Sequence, residues 1–165
     1  MHGKYDYETV VGQIGFSEGK HYWEITIDSY NTERDLFIGV CNDKAPVHGF
    51  VLEKTDTAWG WFCSMARKMS TSVSEKYGQH VIVGEKIGVL LEFNHGMGSL
   101  TFFQKNRSLG PAFTDIPTGT YFPCATLISN RQSDVQVSIN SNAKLPSALP
   151  PAQPKEPTTV GTAKA

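Results

Sequence analysis

Two features that are common in nucleic-acid-binding and membrane proteins are missing from this chain: an excess of positive charge and a long apolar run. The 165 residues carry 15 bases and 16 acids, mixed along the sequence, for a formal net charge of -1. This balance argues against a nucleic-acid groove or an anionic membrane as the main partner. No apolar run approaches the roughly 18 residues of a membrane span, and the first residues lack a basic-then-apolar signal. We therefore expect no nucleic-acid and no membrane partner, and a cytoplasmic location with the nucleus as the alternative.

Cysteine is scarce as well, which excludes a disulfide framework as the basis of the fold. The three cysteines, Cys41, Cys63 and Cys124, are far apart, and each lies within an apolar segment. No CxxC pair or paired-histidine spacing supports a zinc site. A free cysteine in such a setting behaves as a small buried hydrophobe. We expect three reduced core thiols, no metal and no cofactor.

Helical periodicity is nearly absent, whereas alternation of apolar and polar residues recurs along most of the chain. In "YWEITID" the apolar residues Trp23, Ile25 and Ile27 share one face, which is typical of a half-buried antiparallel strand. The segment "DVQVSI" repeats the pattern and predicts three inward side chains near the C-terminus. These are Val135, Val137 and Ile139.

Two segments are more uniformly apolar, "LFIGVC" at 36–41 and "IGVLLEF" at 87–93, and we expect them near the middle of a sheet. The window 65–77 has helical spacing, but its Ser, Thr and Val content favours a variable loop or irregular hairpin. Many short strands at roughly 8–12-residue spacing predict an all-β sandwich. The further strands are predicted at 57–64, 99–104, 109–113 and 121–128.

The composition changes near residue 145. Residues 145–165 contain five prolines and only Val160 among the Val, Ile, Phe, Trp and Tyr types. Such a segment cannot bury enough apolar surface to offset its ordering entropy. We expect one domain over residues 1–144 and a disordered Pro-rich tail or linker over 145–165.

Six blocks in order resemble SPRY domains: "GFSEGKHYWEI", "FIGVCNDKAPVHGF", "AWGWF", "GEKIGVLLEF", "GSLTFFQKNRSLGPAF" and "YFPCATL". The nearest resemblance is to the SPRY domains of F-box and SOCS-box ubiquitin-ligase adaptors. It implies a bent sandwich of two antiparallel sheets with no catalytic centre. Loops at one edge would capture a short peptide or a folded partner. SPRY domains usually carry one more strand before the position of Tyr5, so this chain is expected to be a fragment, to have a misplaced start, or to leave a sheet edge open.

The resemblance also implies a peptide-binding surface. In the SOCS-box-like members the contacts come from the loops before "GFSEG" and "FIGV", from the aromatic of "APVHGF", and from the loop after "YFPCATL". On this sequence those positions are Asp6, Tyr7, Glu33, Arg34, Phe50, Ser129 and Asn130. Phe50 stands where those relatives have Tyr and Ser129 where they have Trp, so the ligand preference is expected to differ.

Other interpretations of these residues remain open. Phe50 could pack under its loop, and Glu33 and Arg34 could form an ordinary solvated pair. A mixed-charge rim could include Arg67 and Lys68, together with Tyr30 and Arg131. The two tryptophans of "WGW" fall on one face with Cys63, which favours core packing over a site.

The predicted partner is a protein or peptide, with ubiquitin-ligase components among the candidates, although the sequence shows no RING array, F-box or SOCS-box segment. The first alternative is a lectin-like carbohydrate-binding domain. The second is a remnant glycosidase built on Glu24 and Asp28. Four extended residues separate that pair by roughly 13 Å, whereas retaining carboxylates approach to about 5–5.5 Å. We therefore expect a binding domain and not an enzyme.

Overall fold

The fold is known from a computed structural model, which describes residues 6–29, 36–46, 48–52, 56–129 and 135–146. The regular elements of the described residues are all β-strands, as expected. No helix in this part of the chain is long and apolar enough to cross a membrane. The strands are β1 (Asp6–Val11), β2 (Lys20–Ser29), β3 (Leu36–Cys41), β4 (Ala58–Phe62), β5 (Arg67–Met69), β6 (Ser74–Lys76), β7 (Lys86–Asn94), β8 (Met97–Gln104), β9 (Arg107–Ile116), β10 (Phe122–Ser129) and β11 (Gln136–Asn140).

The strands form two antiparallel sheets. One sheet has the order β1-β10-β3-β4-β5-β6, and the other has the order β11-β2-β7-β8-β9. The two uniformly apolar segments are the interior strands β3 and β7, as predicted. The window 65–77 contains the short hairpin β5–β6 and no helix, which confirms the irregular-hairpin interpretation.

The main core lies between the two sheets. It contains the predicted inward face of β2, where Trp23, Ile25 and Ile27 are at most 3% exposed. Trp59 and Trp61 belong to the same core, which confirms the packing predicted for the "WGW" segment. The alternation of β2 and β4 therefore fixes which face of each strand meets the opposite sheet.

A second apolar cluster covers the other face of the six-stranded sheet. Its buried members are Phe37, Cys41, Val51, Ala58, Phe62 and Cys124. The partly buried side chains of Ala45, Phe50 and Leu52 pack against it from the segment that connects β3 to β4. This outer cluster explains why every residue of β3 is buried: one face meets the main core and the other meets the outer cluster.

All three cysteines are buried and free, as expected. Burial raises the pKa of the Cys63 thiol far above its ordinary value. Burial also raises the pKa of Cys124, which lies in the outer cluster with Cys41. The Cys63 and Cys124 thiols are therefore held protonated inside the protein, as small apolar side chains, whereas a hydrogen bond with Cys124 lowers the pKa of Cys41.

Two details of the strands differ from the sequence-based expectations. Residues 6–11 form strand β1, whereas Asp6 and Tyr7 were expected in a loop. Ile139 was expected to be buried but is 56% exposed. Ile139 lines an apolar groove of 320 Å³ beside Val10, between the edge strands β1 and β11. The predicted direction of its side chain is therefore correct, but the predicted burial is wrong.

Candidate functional site

Strand pairing brings the two ends of the predicted binding surface together. β1 pairs with β10 in a register that places Asp6 opposite Ser129 and Tyr7 opposite Ile128. Directly opposed residues in an antiparallel pair lie within about 5.5 Å of each other. Two predicted site positions that are distant in sequence are thus neighbours at one corner of the six-stranded sheet.

Phe50 joins this corner through its ring. The Tyr7 and Phe50 ring centroids are 5.3 Å apart with an interplanar angle of 34°. Phe50 also contacts Phe37 at 6.0 Å and Phe62 at 5.7 Å, both edge-on. Since Tyr7 and Phe50 are both only half-buried, each ring has one part in the protein and one part in solvent. We call the surface that carries the Tyr7 and Phe50 rings, at the strand positions of Asp6 and Ser129, the aromatic edge.

The segment that carries Phe50 is fastened to β1 by polar contacts. Glu8 forms an antiparallel bridge with His48, and the Thr9 hydroxyl donates to the Gly49 carbonyl at 2.8 Å. A buried 2.8 Å hydrogen bond also joins the Thr9 and Thr126 hydroxyls. Sequence reasoning missed these threonines, because a polar residue in a strand signals burial only when its partner across the ladder is known. The result is a fixed platform under the two rings.

Three predicted site residues, Glu33, Arg34 and Asn130, lie outside the described residues, as do Tyr30 and Arg131. One described strand end beside each of these two segments is nevertheless near the aromatic edge. Leu36, at the start of β3, pairs with Leu127, two residues before the end of β10. Leu36 and Ser129 therefore lie at the end of the six-stranded sheet that carries the aromatic edge.

Arg67 and Lys68 do not join the aromatic edge. They lie in β5, which three strands separate from β1 in the same sheet. The Lys68 ammonium donates to the Ala112 carbonyl at 2.9 Å and pairs with Glu75 at 3.2 Å. The mixed-charge rim considered from the sequence is therefore not formed by these two residues.

The carboxylates considered for a glycosidase have structural partners instead. The Tyr22 hydroxyl donates to Glu24 at 3.1 Å, and Asp28 accepts a hydrogen bond from the Ser138 hydroxyl. Burial, followed by the charge of Glu24, raises the pKa of the Tyr22 phenol well above its usual range. In the part of the chain that the structure describes, no three His, Cys, Asp or Glu side chains are grouped so as to hold a metal ion.

Comparison with known proteins supports the same fold and family. A family model described as the SPRY domain matches residues 20–140. The chain belongs to the SPRY domain family. A SPRY domain is a protein-interaction fold rather than a catalytic one, and SPRY domains bind proteins.

Curated relatives of this SPRY domain include ubiquitin-ligase-related proteins. F-box/SPRY domain-containing protein 1 of Anopheles gambiae is 26% identical over 129 residues, which cover 71% of this chain and 48% of that protein. E3 ubiquitin-protein ligase TRIM9 of Drosophila melanogaster is 28% identical over 127 residues, which cover 74% of this chain and 17% of that protein. The SPRY domain thus spans about half of the first relative and less of the second.

Solved structures confirm the predicted sandwich. A crystal structure of the SPRY domain of human HERC1 matches with a TM-score of 0.71 at 19% identity, over 87% of both chains. At this identity the likeness concerns the fold alone.

Proposed function

We propose that this SPRY domain binds a short segment of a partner protein through the aromatic edge. The observation that carries the proposal is the contact between Tyr7 and Phe50, two half-buried rings supplied by separate parts of the chain. Half-buried aromatic side chains offer a large apolar area at little cost in conformational entropy, since their own packing already holds them. Rings of this kind are frequent anchors in protein interfaces.

The surroundings of the rings suit a peptide better than a deep-pocket ligand. Tyr7 lies on an edge strand, and Phe50 lies on a segment tied to that strand by the Glu8–His48 bridge and the Thr9–Gly49 hydrogen bond. Such a platform keeps its shape when a partner docks, so little binding energy is lost to reordering. Glu33, Arg34 and Asn130 complete the proposed surface as peptide-contacting residues, on the strength of the family resemblance.

We further propose a role in ubiquitination. Two relatives carry the names F-box/SPRY domain-containing protein and E3 ubiquitin-protein ligase. We infer that this domain supplies the recognition half of a comparable assembly, in which the bound protein is the substrate presented for modification. The proposed function needs no catalytic group, metal or cofactor.

Selection from a displayed peptide library tests the proposal. Peptides enriched on the wild-type domain are measured by fluorescence anisotropy against the Tyr7→Ala variant and a matched control, Phe103→Ala. Phe103 is also half-buried and ring-paired, with Tyr22 at 5.6 Å, but it lies on the five-stranded sheet. We expect Tyr7→Ala to weaken binding by about tenfold or more, as for an interface anchor, and Phe103→Ala to leave it unchanged. Enriched peptides that bind Tyr7→Ala as tightly as wild type would place the site elsewhere.

The carbohydrate-binding alternative is separated by a glycan array on the same domain. The peptide-binding proposal requires that no sugar gives a saturable signal that depends on Tyr7. A saturable sugar signal lost in Tyr7→Ala would favour the lectin-like alternative. Hydrolysis of any tested glycan that disappears in Glu24→Gln would favour a glycosidase.

A further inference from the structure

A second surface lies at the opposite edge of the six-stranded sheet from the aromatic edge. Two adjoining pockets, of 630 and 520 Å³, open on either side of the short ridge formed by Gly78 and Gln79. The first is lined by residues of the β5–β6 hairpin, and the second by residues at the turn between β8 and β9. We call this pair the basic double pocket, after the basic residue types that line it. These are Arg67, Lys76 and His80 in the first lobe and Lys105 and Arg107 in the second.

Positive charge is in excess at these lobes. None of the lining residues is acidic, and the lining Arg and Lys side chains form no ion pair with a carboxylate among the described residues. The Glu85 carboxylate contacts the lining residue Gln104 at 3.5 Å and adds one negative charge beside the second lobe, against the two arginines and two lysines that line the lobes. In a chain of net charge -1, a local concentration of positive charge of this kind attracts anionic groups.

Repulsion between two of these positively charged side chains destabilises the fold. Arg67 and Lys76 are directly opposite each other in the β5–β6 ladder, and like charges at directly opposed positions destabilise a sheet. The Arg67 guanidinium is drawn aside by Ser74, to whose hydroxyl and carbonyl it donates at 3.0 and 2.6 Å. These bonds leave further guanidinium donors for another acceptor. A local conflict of this kind is typical of a functional surface.

The walls of the basic double pocket are fixed by their packing. A side chain on Gly78 would lie 2.6 Å from the buried Trp61 ring, so the ridge sits tightly against the core. The Tyr77 amide donates to the Ala66 carbonyl at 2.8 Å, and the buried Gln104 side chain accepts the Gln79 amide at 3.3 Å. The basic residues therefore belong to a part of the fold whose backbone is held by packing and hydrogen bonds.

We propose that the basic double pocket binds an acidic segment of a protein partner, with anionic side chains in both lobes. Carboxylates of Asp or Glu and phosphorylated side chains share the required chemistry, because both accept charge-assisted hydrogen bonds from arginine and lysine. The two lobes, separated by a two-residue ridge, favour an extended chain that carries several negative charges over a single small anion. This surface is distinct from the aromatic edge and does not depend on the function proposed there.

Fluorescence anisotropy with defined probes tests this proposal. The probes are a hexaglutamate peptide, a doubly phosphorylated serine peptide, its unphosphorylated form, and a six-nucleotide single-stranded DNA. We expect both acidic peptides to bind the wild-type domain, more weakly at about 150 mM than at about 50 mM salt. The Lys105→Gln/Arg107→Gln variant should bind about tenfold more weakly, since two charge-assisted contacts are lost.

Lys76→Gln separates a binding role from a structural one. This change relieves the repulsion opposite Arg67, so the melting temperature should stay level or rise while the dissociation constant for the acidic peptides increases about threefold or more. The matched control is Lys86→Gln, an exposed lysine at the start of β7 that lines neither lobe. Tyr7→Ala should bind the acidic peptides as wild type does.

Three results would overturn the proposal. The first is that neither acidic peptide binds saturably. The second is that Lys86→Gln weakens binding as much as Lys76→Gln does, and the third is that the DNA binds more tightly than both peptides. The last result would assign the surface to nucleic acid.

Discussion

Phe50 sits between the outer cluster and the aromatic edge, and its replacement by alanine gives a measurable test of this dual position. Loss of a fully buried Phe ring costs about 3–5 kcal/mol. Because Phe50 is only half-buried, we expect the loss of its buried apolar area to cost about 1.5 kcal/mol. Its contacts with Phe37 and Phe62 add about 0.5 kcal/mol each, at the lower end of the range for aromatic pairs. We expect Phe50→Ala to reduce the free energy of unfolding by about 2.5 kcal/mol, or about 6–10 °C in melting temperature.

Guanidinium unfolding followed by tryptophan fluorescence measures this change, because all three tryptophans are buried in the folded protein. Phe50→Leu keeps an apolar side chain and loses the ring, so we expect a loss of about 1 kcal/mol. The slope of the free energy against denaturant should be the same for wild type and both variants, since the fold itself is retained.

A double-mutant cycle with Phe62→Ala tests the contact directly. Phe50 and Phe62 are 5.7 Å apart, and we expect a coupling free energy of about 0.5–1.5 kcal/mol. Phe103→Ala, on the other sheet, should combine additively with Phe62→Ala. An unchanged unfolding midpoint for Phe50→Ala, or an additive cycle between Phe50 and Phe62, would refute the packing that supports the aromatic edge.

Two further predictions concern the core. Burial raises the thiol pKa of Cys63 above its ordinary value of 9.0, so above pH 9 the unfolded chain releases a proton that the folded chain keeps. The free energy of unfolding should therefore fall as pH rises, by up to about 1.4 kcal/mol per pH unit for this thiol. Urea unfolding of the wild type and of Cys63→Ala at pH 8 and pH 10 checks this prediction, because the unfolding midpoint should fall less with pH in Cys63→Ala. Equal falls in the two proteins would contradict it. An added Cβ at Gly39 would overlap the Trp59 carbonyl oxygen, whereas one at Gly119 would meet its nearest neighbour at 3.5 Å. Thermal unfolding should show that Gly39→Ala lowers the free energy of unfolding by about 2 kcal/mol or more, and Gly119→Ala by less than about 1 kcal/mol. Comparable losses in the two variants would show that the close approach of β3 and β4 does not require a glycine at residue 39.

The buried face of β2 could be predicted from the sequence because alternation is a local property. Trp23, Ile25 and Ile27 follow one another at the strand period, and all three are buried. Ile139 follows the same period in β11, yet it is 56% exposed. Its burial depends on what stands across the sandwich, and the opposite edge strand β1 leaves a groove there. Periodicity therefore predicts the direction of a side chain but not the presence of a neighbour.

The aromatic edge could also be predicted only in part. Family resemblance supplied Tyr7, Phe50 and Ser129 as separate positions, and their roles in binding stay predictions. Their proximity follows from strand register and from the contact between the Tyr7 and Phe50 rings. The basic double pocket was not predicted, because Arg67 lies in the six-stranded sheet and Lys105 in the turn between β8 and β9 of the other sheet. The ridge at Gly78 and Gln79 lines both lobes, and this arrangement follows from the packing of the two sheets and not from local sequence.

The two proposed surfaces can be perturbed independently because of their places in one sheet. β1 and β5 are four strand spacings apart in the order β1-β10-β3-β4-β5-β6, which corresponds to about 19 Å. Changes separated by more than about 10 Å, without shared partners, have additive effects on stability. Tyr7 packs on Phe50 in the outer cluster, whereas the ridge at Gly78 packs on Trp61 in the main core. A loss of peptide binding that follows Tyr7 alone, together with a loss of acidic-peptide binding that follows Lys76 alone, therefore distinguishes two binding surfaces from one fold that has been weakened everywhere.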